Sequence, residues 1–312
     1  MRSRLTRAGA SFICEAVKRS SSVREAVIEG LVPATDTSFR LVGRLAEELG
    51  FTGLVAEGSC GVIRGSLDDT AALLRYARDS YWAPRQRALF EALFHPAGGT
   101  YIDIGANIGL TVIPIAGNAA VDCHAFEPHP TNFKHLRENV AVNCPAANVT
   151  LHNLALFDSD ATLEFELSAR HSGDHRLRLN HDVGRIKEQT RETIQVQANR
   201  LDSVIERVRR PLGVKVDTQG AEPFVIAGGA SVLVNTDVLS LEFWPYSMLR
   251  MGGSIGQLTS FLAHNFREGT ATVGDRDETL SWQPIESLVG FLDAYSKVSV
   301  GKGDYLDVIV RK

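Results

Sequence analysis

Carboxylates and glycines at set spacings carry the first visible chemistry of this chain. Thr100 to Gly109 reads Thr-Tyr-Ile-Asp-Ile-Gly-Ala-Asn-Ile-Gly, an apolar run that turns at Gly105 and passes into the amphipathic stretch Leu110 to Ala116. Gly105 removes a side chain at the bend, so a ligand can approach the main chain, and free amides at a helix start attract negative charge. About twenty positions on, Phe126-Glu127-Pro128 closes a second apolar run, where a carboxylate can accept hydrogen bonds from both hydroxyls of a ribose. Asp217 ends a third run, Leu212-Gly213-Val214-Lys215-Val216-Asp217, and Glu242 lies near the end of a fourth, Val238 to Phe243.

The spacing alone fits NAD and S-adenosylmethionine equally. Two residues separate them. A dinucleotide fingerprint needs a second glycine where Asn107 stands, and Asp103 would repel a pyrophosphate but suits the ammonium of a methionine moiety. The residues therefore predict S-adenosylmethionine, with Asp103, Gly105, Ala106, Asn107, Gly109, Glu127, Pro128 and Ala155 as candidate contacts.

The elements that must position these groups follow from periodicity. Helix Arg85 to Phe94, strand Thr100 to Ile104, a helix to about Ala116, strand Val121 to Phe126, a helix from Pro130 to Val142 and strand Val149 to Leu154 alternate as parallel α/β units do. Ala161 to Leu167 and Thr193 to Ala198 alternate at period two and are expected to pair antiparallel, with Glu164 and Glu166 outward. Ser168 to Glu192 reads as a polar surface excursion carrying Ser172-Gly173-Asp174-His175. A helix at Ile255 to Phe266 and a closing strand at Tyr305 to Val310, expected at the sheet edge, complete the chain. Helical stripes at Phe12 to Val17, Val23 to Leu31 and Leu41 to Leu49 predict a helical extension over residues 1–80, ahead of a catalytic domain over 81–312; Phe51 to Arg64 reads as a hairpin or loop.

With 312 residues and 44% hydrophobic content, the chain can bury a full α/β core. A net charge of -4 and a pI near 6.2 argue against a protein built to grip nucleic-acid phosphates. Cys14, Cys60, Cys123 and Cys144 show no Cys-x-x-Cys spacing, so no zinc knuckle or redox pair is expected. The absence of an apolar signal segment or membrane-length run predicts a cytoplasmic protein.

Together, Tyr101 to Gly109, Phe126-Glu127-Pro128, Ser172 to His175 and Val214-Lys215-Val216-Asp217-Thr218-Gln219-Gly220-Ala221-Glu222 resemble the FkbM-type S-adenosylmethionine-dependent methyltransferases. The resemblance runs from about residue 100 to 245. It implies a class I methyltransferase fold, Rossmann-like, with a mostly parallel sheet covered by helices on both faces. It also implies O-methylation, commonly of hydroxyls on sugars, glycans or polyketide-type molecules. The family commonly carries Glu where this chain has Gln219.

Methyl transfer from a sulfonium needs an acceptor oxygen held in line and its proton removed. Asp217 is the first candidate for that proton and His175 the second, because an imidazole titrates near neutrality. Lys215 can neutralise Asp217 or Glu222. Asp217 and Glu242 could alternatively share a divalent ion, although no metal is expected. Competing readings are a non-catalytic S-adenosylmethionine-binding scaffold and a nicotinamide-dependent oxidoreductase; the latter lacks a Tyr-x-x-x-Lys pair. No Asn/Asp-Pro-Pro-Tyr run for a flipped base is present either.

Overall fold

The computed structural model describes residues 43–44, 46–48, 50–51, 53–67, 69, 72–168, 171–179, 190–273, 280–299 and 304–312. The predicted helical stripes before residue 41 lie outside the described residues, as does part of the third. The chain divides into two compact units, residues 1–82 with 170–173, and residues 83–169 with 174–312.

In the first unit, strands β1 (Leu54–Gly58) and β2 (Gly61–Gly65) form an antiparallel hairpin, and helix α1 (Ala72–Asp79) packs on it. The hairpin reading of the glycine-rich stretch holds, so the described part of this region is not purely helical. Tyr76 ties the two together: its buried hydroxyl accepts the Cys60 amide at 2.8 Å and donates to the Gly61 carbonyl at 2.9 Å.

The second unit opens with helix α2 (Pro84–Phe94), then alternates β3 (Gly99–Ile104), α3 (Val112–Ala116), β4 (Val121–Phe126), α4 (Pro130–Asn143) and β5 (Val149–His152). Strands β6 (Ala155–Leu156), β7 (Ala161–Glu166), β8 (Arg176–Arg178) and β9 (Thr193–Asn199) follow, then the short helix α5 (Leu201–Val204). The chain returns through β10 (Leu212–Val216), α6 (Glu222–Gly228), α7 (Ala230–Leu233), β11 (Val238–Phe243), α8 (Pro245–Arg250) and α9 (Ile255–Asn265). It ends with β12 (Glu268–Thr272), β13 (Gln283–Pro284), α10 (Ile285–Ser299) and β14 (Leu306–Arg311).

An eight-stranded sheet runs in the order β13-β12-β14-β11-β10-β3-β4-β5. Strands β11, β10, β3, β4 and β5 are mutually parallel, and β14 is antiparallel to β11. Covered on both faces, β3 and β10 are buried at every position, the charged Asp103 and Lys215 included. Ile102, Ile104, Val214 and Val216 join the core cluster with Val225, Leu258, Leu262, Leu288 and Leu292. On the other face Tyr101 meets Phe90 and Phe94 edge-on at 4.9 and 6.2 Å. A Cβ at Gly213 would stand 2.9 Å from both phenylalanine rings, so that strand position admits only glycine against α2.

Two strand expectations change. β14 lies between β11 and β12, inside the sheet. Its outward neighbour β12, Glu-Gly-Thr-Ala-Thr, is too polar and glycine-containing to read as a strand on its own. A second sheet, β6-β9-β7-β8, confirms the β7–β9 antiparallel pairing, with Leu163 opposite Val196. The excursion after β7 is partly structured, because Arg176–Arg178 pairs with Glu164–Glu166. Glu166 does not point to solvent: it is fully buried.

Candidate functional site

The topology changes direction between β3 and β10. From β3 the chain moves outward through β4 and β5, then returns to β10 on the opposite side, and strand carboxyl ends at such a switch point border a ligand crevice. Asp103 pairs in register with Lys215, and Ile104 with Val216. The residues following β3, β4, β10 and β11 therefore meet at one edge.

At that edge the main chain turns through Gly105 at φ 80° and Asn107 at φ 51°, left-handed values that glycine and asparagine tolerate best. A Cβ on Gly105 would lie 1.9 Å from the Asp217 carbonyl oxygen, so close approach of two main chains requires the glycine. The amides expected to be free are engaged. Gly105 and Ala106 both donate to the Phe126 carbonyl at 3.0 and 2.9 Å, and Gly109 to the Ala106 carbonyl at 2.9 Å. The Asn107 amide donates to Glu127 Oε2 at 2.9 Å. A pyrophosphate would find none of these four donors available, which removes the support for a dinucleotide.

Glu127 is the centre of the turn. It is buried, and its other oxygen accepts the His129 amide at 2.8 Å. Burial pushes its carboxyl up to about 7, against the pull of the His129 and Asn107 amides and of Lys215. Asn153, which sequence reasoning passed over, donates from its side chain to the carbonyls of Glu127 and Pro128 at 2.8 and 3.2 Å, pinning this turn to the end of β5. It falls inside the predicted strand Val149 to Leu154, whereas β5 ends at His152 and leaves Asn153 in the turn.

Asp103, expected to face the methionine ammonium, is fully buried; it takes the Thr111 hydroxyl and lies 3.3 Å from Lys215 Nζ. Lys215 Nζ also donates to the Gly105 carbonyl at 2.8 Å and lies 3.7 Å from Asp217. Burial opposes its charge, but Asp103 and Asp217 outweigh that and hold its ammonium above the ordinary range. The lysine pairs with Asp103 and Asp217, not with Glu222. Glu222 instead accepts the Thr218 amide and hydroxyl at 2.8 and 3.0 Å, and burial pushes it up to about 7. The Asp217 side chain is 40% exposed, in contrast to its buried neighbours.

Asp103, Gly105, Ala106, Asn107, Glu127, Lys215 and Asp217 are thus joined by direct contacts. The Gly109 turn sits behind them, where an added Cβ would meet Ile113 and Leu136 at 3.0 Å. Ala155 is buried in β6, paired with Ala198. His175 packs its ring 4.5 Å from His129 and accepts the Ser168 amide on Nδ1 at 2.9 Å, on the Glu127 side of the crevice. The carboxylates of Asp217 and Glu242 are bridged by the Gln219 amide at 2.7 and 2.8 Å, and among the described residues no group of three or more His, Cys, Asp or Glu is arranged to hold a metal ion.

A parallel sheet with this order, a carboxylate after the second strand and a glycine turn with its amides engaged define an S-adenosylmethionine-dependent methyltransferase. The residues are compatible with that cofactor: Glu127 is a buried carboxylate at the end of the second strand, and the buried Asn107 Oδ1 has no hydrogen-bond partner among the described residues. The chain belongs to the FkbM methyltransferase domain family, which it matches over residues 103–267. No curated protein matches it.

Solved structures that overlay on it include M. jannaschii TYW2 in complex with AdoMet, 13% identical, covering 83% of this chain and 85% of that one with a TM-score of 0.38. A geranyl diphosphate C-methyltransferase from Streptomyces coelicolor is 9% identical, covering 77% of each chain with a TM-score of 0.37. Magnesium protoporphyrin IX methyltransferase from Synechocystis, with bound SAM, is 11% identical, covering 74% and 78% with a TM-score of 0.35. No helix among the described residues is long and apolar enough to cross a membrane.

A ribose held on Glu127 would make cofactor affinity depend on the ionisation of that carboxyl. Only the ionised carboxylate offers two oxygens free of protons, so S-adenosylmethionine binding is expected to weaken as pH falls below about 7, by up to about tenfold per unit. Calorimetry from about pH 6 to about pH 8 should show this slope in the wild type and a flat response in Glu127→Gln. A flat wild-type profile would separate Glu127 from cofactor recognition.

Proposed function

We propose that the protein moves the methyl group of S-adenosylmethionine to a hydroxyl oxygen of a sugar, glycan or polyketide-type small molecule. The observation that carries this reading is Asp217, an accessible carboxylate at the end of β10, held beside the glycine turn by Lys215. Bound S-adenosylmethionine supplies an electrophilic methyl carbon and leaves as a neutral thioether. What the chain must then supply is orientation of the acceptor and a place for its proton.

Asp217 accepts that proton on a carboxylate oxygen. Lys215 keeps the carboxylate aimed and lowers the cost of its charge near Asp103. Glu127 holds the ribose hydroxyls, and Asp103 acts through Lys215 rather than at the open surface. His175 accepts the Ser168 amide on Nδ1, which places its own proton on Nε2 and leaves Asp217 the first candidate for the acceptor's proton.

A labelled-methyl transfer screen over hydroxyl, amine and carbon acceptors tests the reading. Label is expected on hydroxyl acceptors, and Asp217→Ala is expected to lower turnover about a hundredfold with the S-adenosylmethionine Kd unchanged. Label appearing only on nitrogen or carbon acceptors would replace the O-methyl reading. Full turnover in Asp217→Ala would remove Asp217 from the proton's path.

A further inference from the structure

Gln219 adopts φ 59°, a left-handed backbone that is costly for a side chain of this kind. Its neighbours enforce it. The fully buried Ser247 on α8 donates its hydroxyl to the Gln219 carbonyl at 2.5 Å and receives Arg176 Nη1 at 3.3 Å. The next residue, Gly220, turns at φ 117°, and a Cβ there would stand 2.4 Å from the same hydroxyl oxygen. Thr218 is fixed on the other side by Glu222.

This strained turn delivers one group. The Gln219 side-chain nitrogen donates to Asp217 Oδ1 at 2.7 Å and to Glu242 Oε2 at 2.8 Å, so both its hydrogens are used on carboxylates from neighbouring strands. The opposite amide orientation would press a carbonyl oxygen against the Asp217 carboxylate. A glutamine bridging two carboxylates at the mouth of β10 and β11, in a backbone that glycine would adopt more easily, is explained by a use for the side chain.

We propose that Gln219 is a positioning residue: its amide locks Asp217 to Glu242, fixing the exposed carboxylate in the orientation that receives the acceptor's proton. This rests on the reading of Asp217 as that proton acceptor. The groups facing the pair are Lys215 from β10, Glu222 from α6 and Asp307 from β14. Glu242 is set back from the surface, and burial, with Asp217 next, drives its carboxyl well above the usual range.

Gln219→Gly is the decisive variant, because it keeps the carbonyl that Ser247 binds, relieves the left-handed strain and removes only the amide. Melting temperature should stay level or rise, and the S-adenosylmethionine Kd should not change. Turnover on a hydroxyl acceptor should fall about tenfold or more. Independently of any acceptor, the carbon-13 carboxyl resonance of Glu242, assigned by its loss in Glu242→Gln, should titrate at higher pH in the variant, since its ionised form loses a donor.

An unmoved Glu242 titration, or full turnover in Gln219→Gly alongside an inactive Asp217→Asn, overturns the positioning role alone. Full turnover in Asp217→Asn overturns the role and the underlying reading together. A shifted titration with reduced turnover in Gln219→Gly supports it, and a lowered melting temperature would assign Gln219 to folding instead.

Discussion

Glu127→Ala is expected to weaken S-adenosylmethionine binding by at least about a hundredfold, because charge-assisted hydrogen bonds contribute about 1.5–3 kcal/mol each and a ribose presents two hydroxyls. The loss has a second source inside the protein. Glu127 takes the amides of Asn107 and His129, and alanine would strand both donors in a buried turn. Calorimetry measures the total, and Glu127→Gln separates its parts by keeping one acceptor oxygen near those amides at no charge. A Kd within threefold of wild type in the alanine variant, about 0.6 kcal/mol, would mean that the ribose is held elsewhere.

Glu166→Ala should reduce the unfolding free energy by about 3–5 kcal/mol, the range for breaking a buried ion pair and leaving its partner uncompensated. Glu166 is fully buried on β7. Its oxygens accept Arg176 Nε at 2.8 Å, Arg178 Nε at 3.0 Å and both terminal nitrogens of Arg250 at 3.1 and 3.0 Å. Burial alone would raise its carboxyl, but hydrogen bonds from Arg176 and Arg250 carry it below the ordinary value. Arg176 is itself fully buried, lying over the Trp244 ring at 5.1 Å, so it cannot turn to water when its partner is removed. A urea midpoint at unchanged slope measures the effect. Glu164→Ala on the same strand is the control, expected within about 0.5 kcal/mol of wild type; equal losses in the two variants would refute the special standing of Glu166.

What could be read from the sequence is what local pattern encodes. β4 and β11 were legible to the residue because short apolar runs there are bounded by Glu-Pro or Trp-Pro. The Gly105 turn and Glu127 were legible because their spacing follows from one strand–helix–strand unit. Long-range balance left no such trace. Glu166 alternates as an outward residue should, and only arginines from β8 and α8, ten and 84 positions away in sequence, turn its side into an interior. The engaged amides of Gly105 and Ala106 depend on where the Phe126 carbonyl falls across the sheet. The Gln219 bridge depends on two strands meeting.

β14 lies between β11 and β12, and this has a consequence for assembly. During synthesis β12 emerges before the strand that supplies its long ladder, holding only the two-residue pairing with β13 meanwhile. Its exposed edge must wait until some forty further residues have been made, and closing that gap sets a large loop-entropy toll on the late step of folding. Nascent chains stalled ahead of residue 306 should therefore be protease-sensitive from β12 onward, while the parallel half around β3 and β10 is already able to close.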